Sequence, residues 1–227
     1  MRKGTVVKPK DVSSIKGEAD QDDQFDVSEP VELKMVEWRE IIVPISGTGP
    51  GLLTSHIPDW VIENIAYKQA GLPIPNQKKR TLEEQYQDSL YMLEPARDGS
   101  SYGFPAAAFK KAIIRAVMSG MIDPALKGTV VRTWFTTPGG EDGYVALQGT
   151  PEQSIMPARN KDVVVAAIRA HFREWSTMVR FRYDPRAVSP NMLMHMLNQA
   201  GEGVGIGAYR PEKDGNYGCF VVDSVKK

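Results

Sequence analysis

The sequence predicts an α+β fold: a ferredoxin-like, RRM-like βαββαβ core with an antiparallel sheet, carrying insertions and a disordered N-terminal tail. Three observations predict it. Alternating apolar and polar residues mark strands at Leu33–Ile45, Thr129–Thr136 and Trp175–Tyr183, and an apolar run at Tyr217–Val222 supplies a closing strand. Helical spacing puts Phe109, Ala112, Ile113, Ala116 and Val117 on one face after Pro105, and Leu193, Met196, Leu197 and Ala200 on one face after Ser189-Pro190. With the insertions at about residues 52–100 and 137–172 removed, the order is strand, helix, strand, strand, helix, strand.

Residues 1–30 carry early lysines and then Glu18, Asp20, Asp22, Asp23, Asp26 and Glu29, with little to bury. Such a segment cannot offset its ordering entropy, so it is expected to be a disordered tail, with residues 31–227 forming a single domain. The first strand ends in Ser46-Gly47-Thr48-Gly49-Pro50-Gly51, which lacks the Gly-Lys-Ser/Thr ending of a P-loop. A helix is expected from Asp59 to Gln69. The loop Pro73–Arg80 leads to a second short helix, where Thr81 and Glu84 have capping-box spacing. Pro138-Gly139-Gly140 turns into a short strand at Tyr144–Leu147, and Val163–Ile168 is compatible with strand or helix. Ser189 is an N-cap with Pro190 at the first helical position, and Gly201 is expected to end that helix.

Composition narrows the function. The chain has 227 residues, 41% hydrophobic and 25% charged, so it can bury a core. Lys plus Arg and Asp plus Glu are both 28, so contact with a polyanion must come from local patches, not from a global field. One cysteine, Cys219, excludes an intramolecular disulfide framework and a Cys-based zinc cluster. No apolar run approaches a membrane span, so no membrane partner is expected and the expected location is cytoplasmic.

The densest feature is a glycine-rich segment, with Gly201, Gly203, Gly205, Gly207, Gly215 and Gly218 falling within eighteen residues around Arg210-Pro211-Glu212-Lys213. Glycine permits backbone angles and close approaches that a Cβ forbids, and Arg210 and Lys213 suit an anion. The plain alternative is a long connecting loop. On the predicted strands, Arg132 and Trp134 share one side of the second and Arg180 and Arg182 one side of the third. If both sides face away from the helices, they make a basic-aromatic surface suited to a single strand of nucleic acid. Lys110 and Lys111, off the apolar face of the first core helix, and Lys78, Lys79 and Arg80 in the Pro/Lys-rich loop complete the candidate set. Of the three histidines, His56, His171 and His195, none forms a metal pattern, and no cofactor is expected. His56, just after the glycine-rich turn, is the one weak catalytic candidate.

Gly203-Val204-Gly205-Ile206-Gly207, followed by Gly215 and Gly218 and preceded by a helix, resembles the glycine-rich loop of the RAMP superfamily, the ferredoxin-like RNA-binding proteins of CRISPR systems. Gly103-Phe104-Pro105-Ala106-Ala107-Ala108-Phe109-Lys110-Lys111-Ala112 is similar to that superfamily's Pro-Gly-Ser-Ser-x-Lys-Gly segment, with alanines in place of Gly-Ser-Ser. Over about residues 33–224 the chain is also similar to an uncharacterised tailed-phage protein family. The shared features are a Pro44–Leu52 segment, a Tyr-Gly-Phe-Pro-Ala helix start and a Gly-Val-Gly…Arg-Pro-Glu-Lys loop. The RAMP resemblance implies backbone binding of single-stranded RNA or DNA by copies stacked along the strand as a homo-oligomer or filament. Two alternatives remain open: a metal-free RAMP-type endoribonuclease using His56, and a phage protein–protein interaction or anti-defence factor.

Overall fold

The computed structural model describes residues 37–75, 79–160 and 163–223. The tail expected at residues 1–30 lies outside them, as does Lys78. The chain is mixed α and β. Its strands are β1 Arg39–Gly47, β2 Leu52–Leu53, β3 Met92–Arg97, β4 Ser100–Pro105, β5 Phe135–Thr136, β6 Tyr144–Gln148, β7 Pro151–Asn160, β8 Val163–Phe172, β9 Ser176–Tyr183 and β10 Phe220–Val222. Its helices are α1 Asp59–Gln69, α2 Leu82–Asp88, α3 Ala107–Met118, α4 Gly128–Val131 and α5 Pro190–Gly203, and a 3-10 turn spans Pro211–Lys213.

The main sheet runs β10-β1-β9-β6-β4-β3, with β5 also paired to β9. Every recorded pairing in it is antiparallel. Strands β5 and β6 act as one interrupted neighbour of β9: Phe135 pairs with Tyr183 at one end and Leu147 with Thr177 at the other. Between them the chain leaves β9, and β6 pairs instead with the β3–β4 hairpin, Gly103 opposite Ala146. β7 and β8 form a long hairpin that is joined to β2 only at its base, Leu52 opposite Phe172.

β9 alternates as its sequence predicts. Thr177, Val179, Phe181 and Tyr183 are buried; Met178, Arg180 and Arg182 are exposed. The buried side joins Val43 and Ile45 of β1 and is covered by Phe109, Ile113 and Ala116 of α3 and Leu193, Met196 and Leu197 of α5. Edge-to-face aromatic contacts tie the layers together, with Phe109 and Phe220 ring centroids 5.5 Å apart. The helix starts follow local chemistry. Ser189 accepts from the Met192 amide with Pro190 behind it, and Thr81 and Glu84 form the reciprocal capping box. α3 starts two residues later than Pro105 suggested, because Pro105 is still paired to Tyr144 in the sheet. α5 runs past Gly201 to Gly203, and β8 is a strand.

Two expectations are corrected. The closing strand expected at Tyr217–Val222 spans only Phe220–Val222. Thr129–Thr136 is not a strand: Gly128–Val131 is a helical turn and only Phe135–Thr136 pairs. Its β-branched residues favour a strand, but β9 ends at Tyr183, where Phe135 already pairs, and the chain turns away with Asp184 N–H donating to the Trp134 carbonyl. No ladder remains for residues 129–134, and Val131 is buried in the core from a helical turn instead. Arg132 and Trp134 therefore do not share one face of a second strand.

Candidate functional site

The predicted residues fall in three places. The first is a cleft of about 560 Å³ between α3 and the segment after α5. Lys111 and Arg115, one helical turn apart on α3, line one wall, and Arg132, at the end of α4, closes one side. Across from them lie the backbone of Gly205 and Gly207 and the side chains of Arg210 and Glu212; Ala112, Val204 and Ile206 form the apolar floor. Four cations thus surround the cleft against one lining carboxylate. The Arg210 guanidinium donates from Nε and Nη2 to Glu212 Oε2 at 2.9 and 2.6 Å, and from Nη1 to the Gly207 carbonyl at 2.9 Å. Arg115 Nε lies 3.3 Å from Glu212 Oε1. Arg132 Nε reaches back 3.4 Å to the Gly128 carbonyl.

The loop's glycines are required by its own packing. Gly205 has φ +68°, and a Cβ there would lie 2.8 Å from Pro211 Cδ. Gly207 has φ +76°, and a Cβ would lie 2.5 Å from the Leu53 carbonyl oxygen. Gly203, at the end of α5, abuts the Met121 side chain. The amides of Ala208 and Gly218 donate to the carbonyls of Leu53 and Gly51, so the loop is laced to the segment after β1. Lys213 is exposed on the 3-10 turn and does not line the cleft. Lys110 does not line the cleft either; its ammonium lies 5.8 Å from the Phe135 ring centroid, and burial first, and then the Arg132 charge, pull its pKa below the usual lysine value.

The second place is the uncovered face of the main sheet. Arg180 and Arg182 project there from β9, as their alternation predicted, but Arg180 is 3.8 Å from Glu40 on β1 and Arg182 lies over the Trp38 ring at 5.5 Å. Trp134 does not join them. It is half-buried against the core, so the aromatic partner of this face is Trp38. The third place is a pocket of about 290 Å³ lined by His56, Trp60, Arg80, Asp88 and Arg169. Arg80 forks onto Asp88 and covers Trp60, while Lys79 is exposed nearby. His56 Nδ1 is 3.1 Å from the Asp88 carbonyl, and its ring meets Tyr91 edge-on at 4.9 Å. Burial raises the Tyr91 hydroxyl pKa, and that hydroxyl donates to the Ser55 carbonyl. His171 is buried against the Pro50 carbonyl and His195 is exposed on α5. Among the described residues, no group of three or more His, Cys, Asp or Glu side chains could hold a metal ion, and no helix is long and apolar enough to cross a membrane.

Sequence reasoning gathered Lys111, Arg132, Gly205, Gly207 and Arg210 into one candidate set, and the fold brings these five to one cleft. It missed Arg115 and Glu212 as members. The signal for Arg115 was its i+4 spacing from Lys111 off the apolar stripe; for Glu212 it was a carboxylate two residues from Arg210. No protein-family model and no curated protein matches the chain, so its own geometry carries the functional argument.

Proposed function

We propose that the chain is a non-enzymatic, phage-encoded protein that binds single-stranded DNA or RNA and coats it as a homo-oligomer, on a ferredoxin-like core of the RAMP type. The strand order β10-β1-β9-β6 with α3 and α5 on one face supports that core. The observation that carries the function is the cleft: four cations to one carboxylate, beside a loop whose glycines leave backbone, not side chain, at the wall. A site with excess positive charge, exposed backbone and no aromatic side chain in its lining suits phosphates and reads no base sequence. The sheet face is the weaker surface, since Glu40 offsets Arg180 and Trp38 engages Arg182. Self-association has support of its own: no residue of α1 is buried, Ile62 and Ile65 are exposed on it, and Ile155 and Val164 are exposed on the β7–β8 hairpin.

Fluorescence anisotropy with labelled thymidine and uridine strands of roughly 30 nucleotides tests this reading. Binding should fall between about 50 and 200 mM salt, with a slope of about 0.7 per phosphate contacted. Lys111→Ala with Arg132→Ala should weaken binding at least tenfold, and Arg180→Ala with Arg182→Ala less. Strand affinity that ignores salt, or survives the cleft variant unchanged, would overturn it. A nuclease reading draws on the contact of His56 with Tyr91; RNA cleavage by wild type that His56→Ala abolishes would establish it instead.

A further inference from the structure

We propose that the Glu212 carboxylate is a resident anion in the cleft, standing where a ligand phosphate binds, so that it limits affinity for anions instead of building the site. The inference rests on the cleft being an anion site. Glu212 lines it with its two oxygens divided between two arginines, Oε2 to Arg210 at 2.6 and 2.9 Å and Oε1 to Arg115 at 3.3 Å. Two guanidiniums converging on the oxygens of one anion is the arrangement by which arginines take a phosphate. Glu212 is the one carboxylate in the lining, and Lys111 and Arg132 add two further cations to that lining.

The Arg115 half of the pairing is open, whereas the Arg210–Glu212 half is the tighter one, with side chains 29% and 22% exposed. The Arg115 side chain is 59% exposed, and so open a pair contributes little to folding. Arg210 does not depend on Glu212 for its place, because its Nη1 is held by the Gly207 carbonyl. Glu212 itself sits on a three-residue 3-10 turn held by its backbone amide to the Val204 carbonyl. Its side chain can swing aside without moving that turn. A phosphate entering the cleft then takes over both guanidiniums, while Glu212 repels it from nearby. The carboxylate therefore sets a threshold: a single small anion competes poorly, and a polyanion that also reaches Lys111 and Arg132 displaces it.

The test compares wild type, Glu212→Gln and Arg115→Ala, using the labelled thymidine strand and, separately, inorganic pyrophosphate followed by thermal shift. Glu212→Gln should bind the strand about fivefold tighter, the factor expected on removing one like charge at ~4 Å in a water-like dielectric. Its salt slope should steepen by about 0.7, and pyrophosphate should raise its melting temperature more than that of wild type. Arg115→Ala should bind more weakly than wild type. If wild type binds the strand and Glu212→Gln binds it equally or less, Glu212 is a structural clamp and the inference fails. If no protein binds the strand but pyrophosphate still favours Glu212→Gln, the resident anion stands and the nucleic-acid reading falls. If pyrophosphate favours neither and no strand binds, both fall. Should Glu212→Gln not fold, Glu212→Asp, one methylene too short to span both arginines, should tighten strand binding part of the way; failure to do so overturns the inference.

Discussion

Gly207→Ala isolates what the glycine-rich loop does for the fold. Gly207 has φ +76°, so alanine there costs about 1–2 kcal/mol in backbone strain alone. The new Cβ would lie 2.5 Å from the Leu53 carbonyl oxygen and 2.7 Å from Leu52 Cδ1, and both leucines are fully buried and cannot retreat. Overpacking of this kind costs about 1–3 kcal/mol. If the loop lifts to relieve it, the Ala208 amide loses the Leu53 carbonyl, worth about 1 kcal/mol. The expected loss is about 2–5 kcal/mol, a large part of a typical domain's stability. Gly120→Ala is the control, since Gly120 has φ +73° but nothing within 4 Å of the added carbon, so it should lose only the strain of about 1–2 kcal/mol. Urea unfolding followed by far-ultraviolet circular dichroism reads both. Equal losses in the two variants would refute the packing of the loop onto β2.

Two further outcomes follow from local chemistry. The lowered pKa of Lys110, caused by burial and by Arg132, means that the folded chain holds that proton less tightly than the unfolded chain, whose lysine titrates near 10.5. Stability should therefore gain from Lys110 as pH rises from its lowered value toward 10.5, and Lys110→Met should flatten that gain in thermal melts across alkaline pH; an unchanged pH profile would count against the burial. Thr81→Ala removes the side-chain half of the α2 capping box and should cost about 1 kcal/mol in urea while leaving strand affinity unchanged, a separation that an altered affinity would deny.

What the sequence made legible was what local pattern decides. The period-2 alternation of β9, the apolar stripes of α3 and α5, and the caps at Thr81 and Ser189 all stand as read. The failure at Thr129–Thr136 has a different origin. Whether a β-branched run becomes a strand depends on a partner edge, and the end of β9 at Tyr183 removes it. The candidate site divides in the same way. Arg180 and Arg182 share a face because one strand carries both, which is local information. That Arg132 lines the same cleft as the glycine-rich loop, and Trp134 does not reach the sheet face, follows from the same helical turn and was invisible to any pattern. The spacing of Arg210 and Glu212 was visible, but whether they oppose a ligand or each other depends on where Arg115 comes to rest.

The position of β1 governs the order in which this molecule can assemble. Its hydrogen-bonding edges are filled by β9 on one side and β10 on the other, so a strand made early waits for partners drawn from residues 176–183 and 220–222. During synthesis β1 has neither neighbour until more than a hundred further residues have left the ribosome (Ser176 follows Gly47 by 129 positions). Contacts of such long sequence separation slow folding and leave a bare edge open to other chains in the interval. The nascent protein is thus at its most vulnerable before β9 appears, when both edges of β1 are bare, and a truncation that removes Phe220–Val222 leaves the Ile45–Gly47 edge of β1 unpaired.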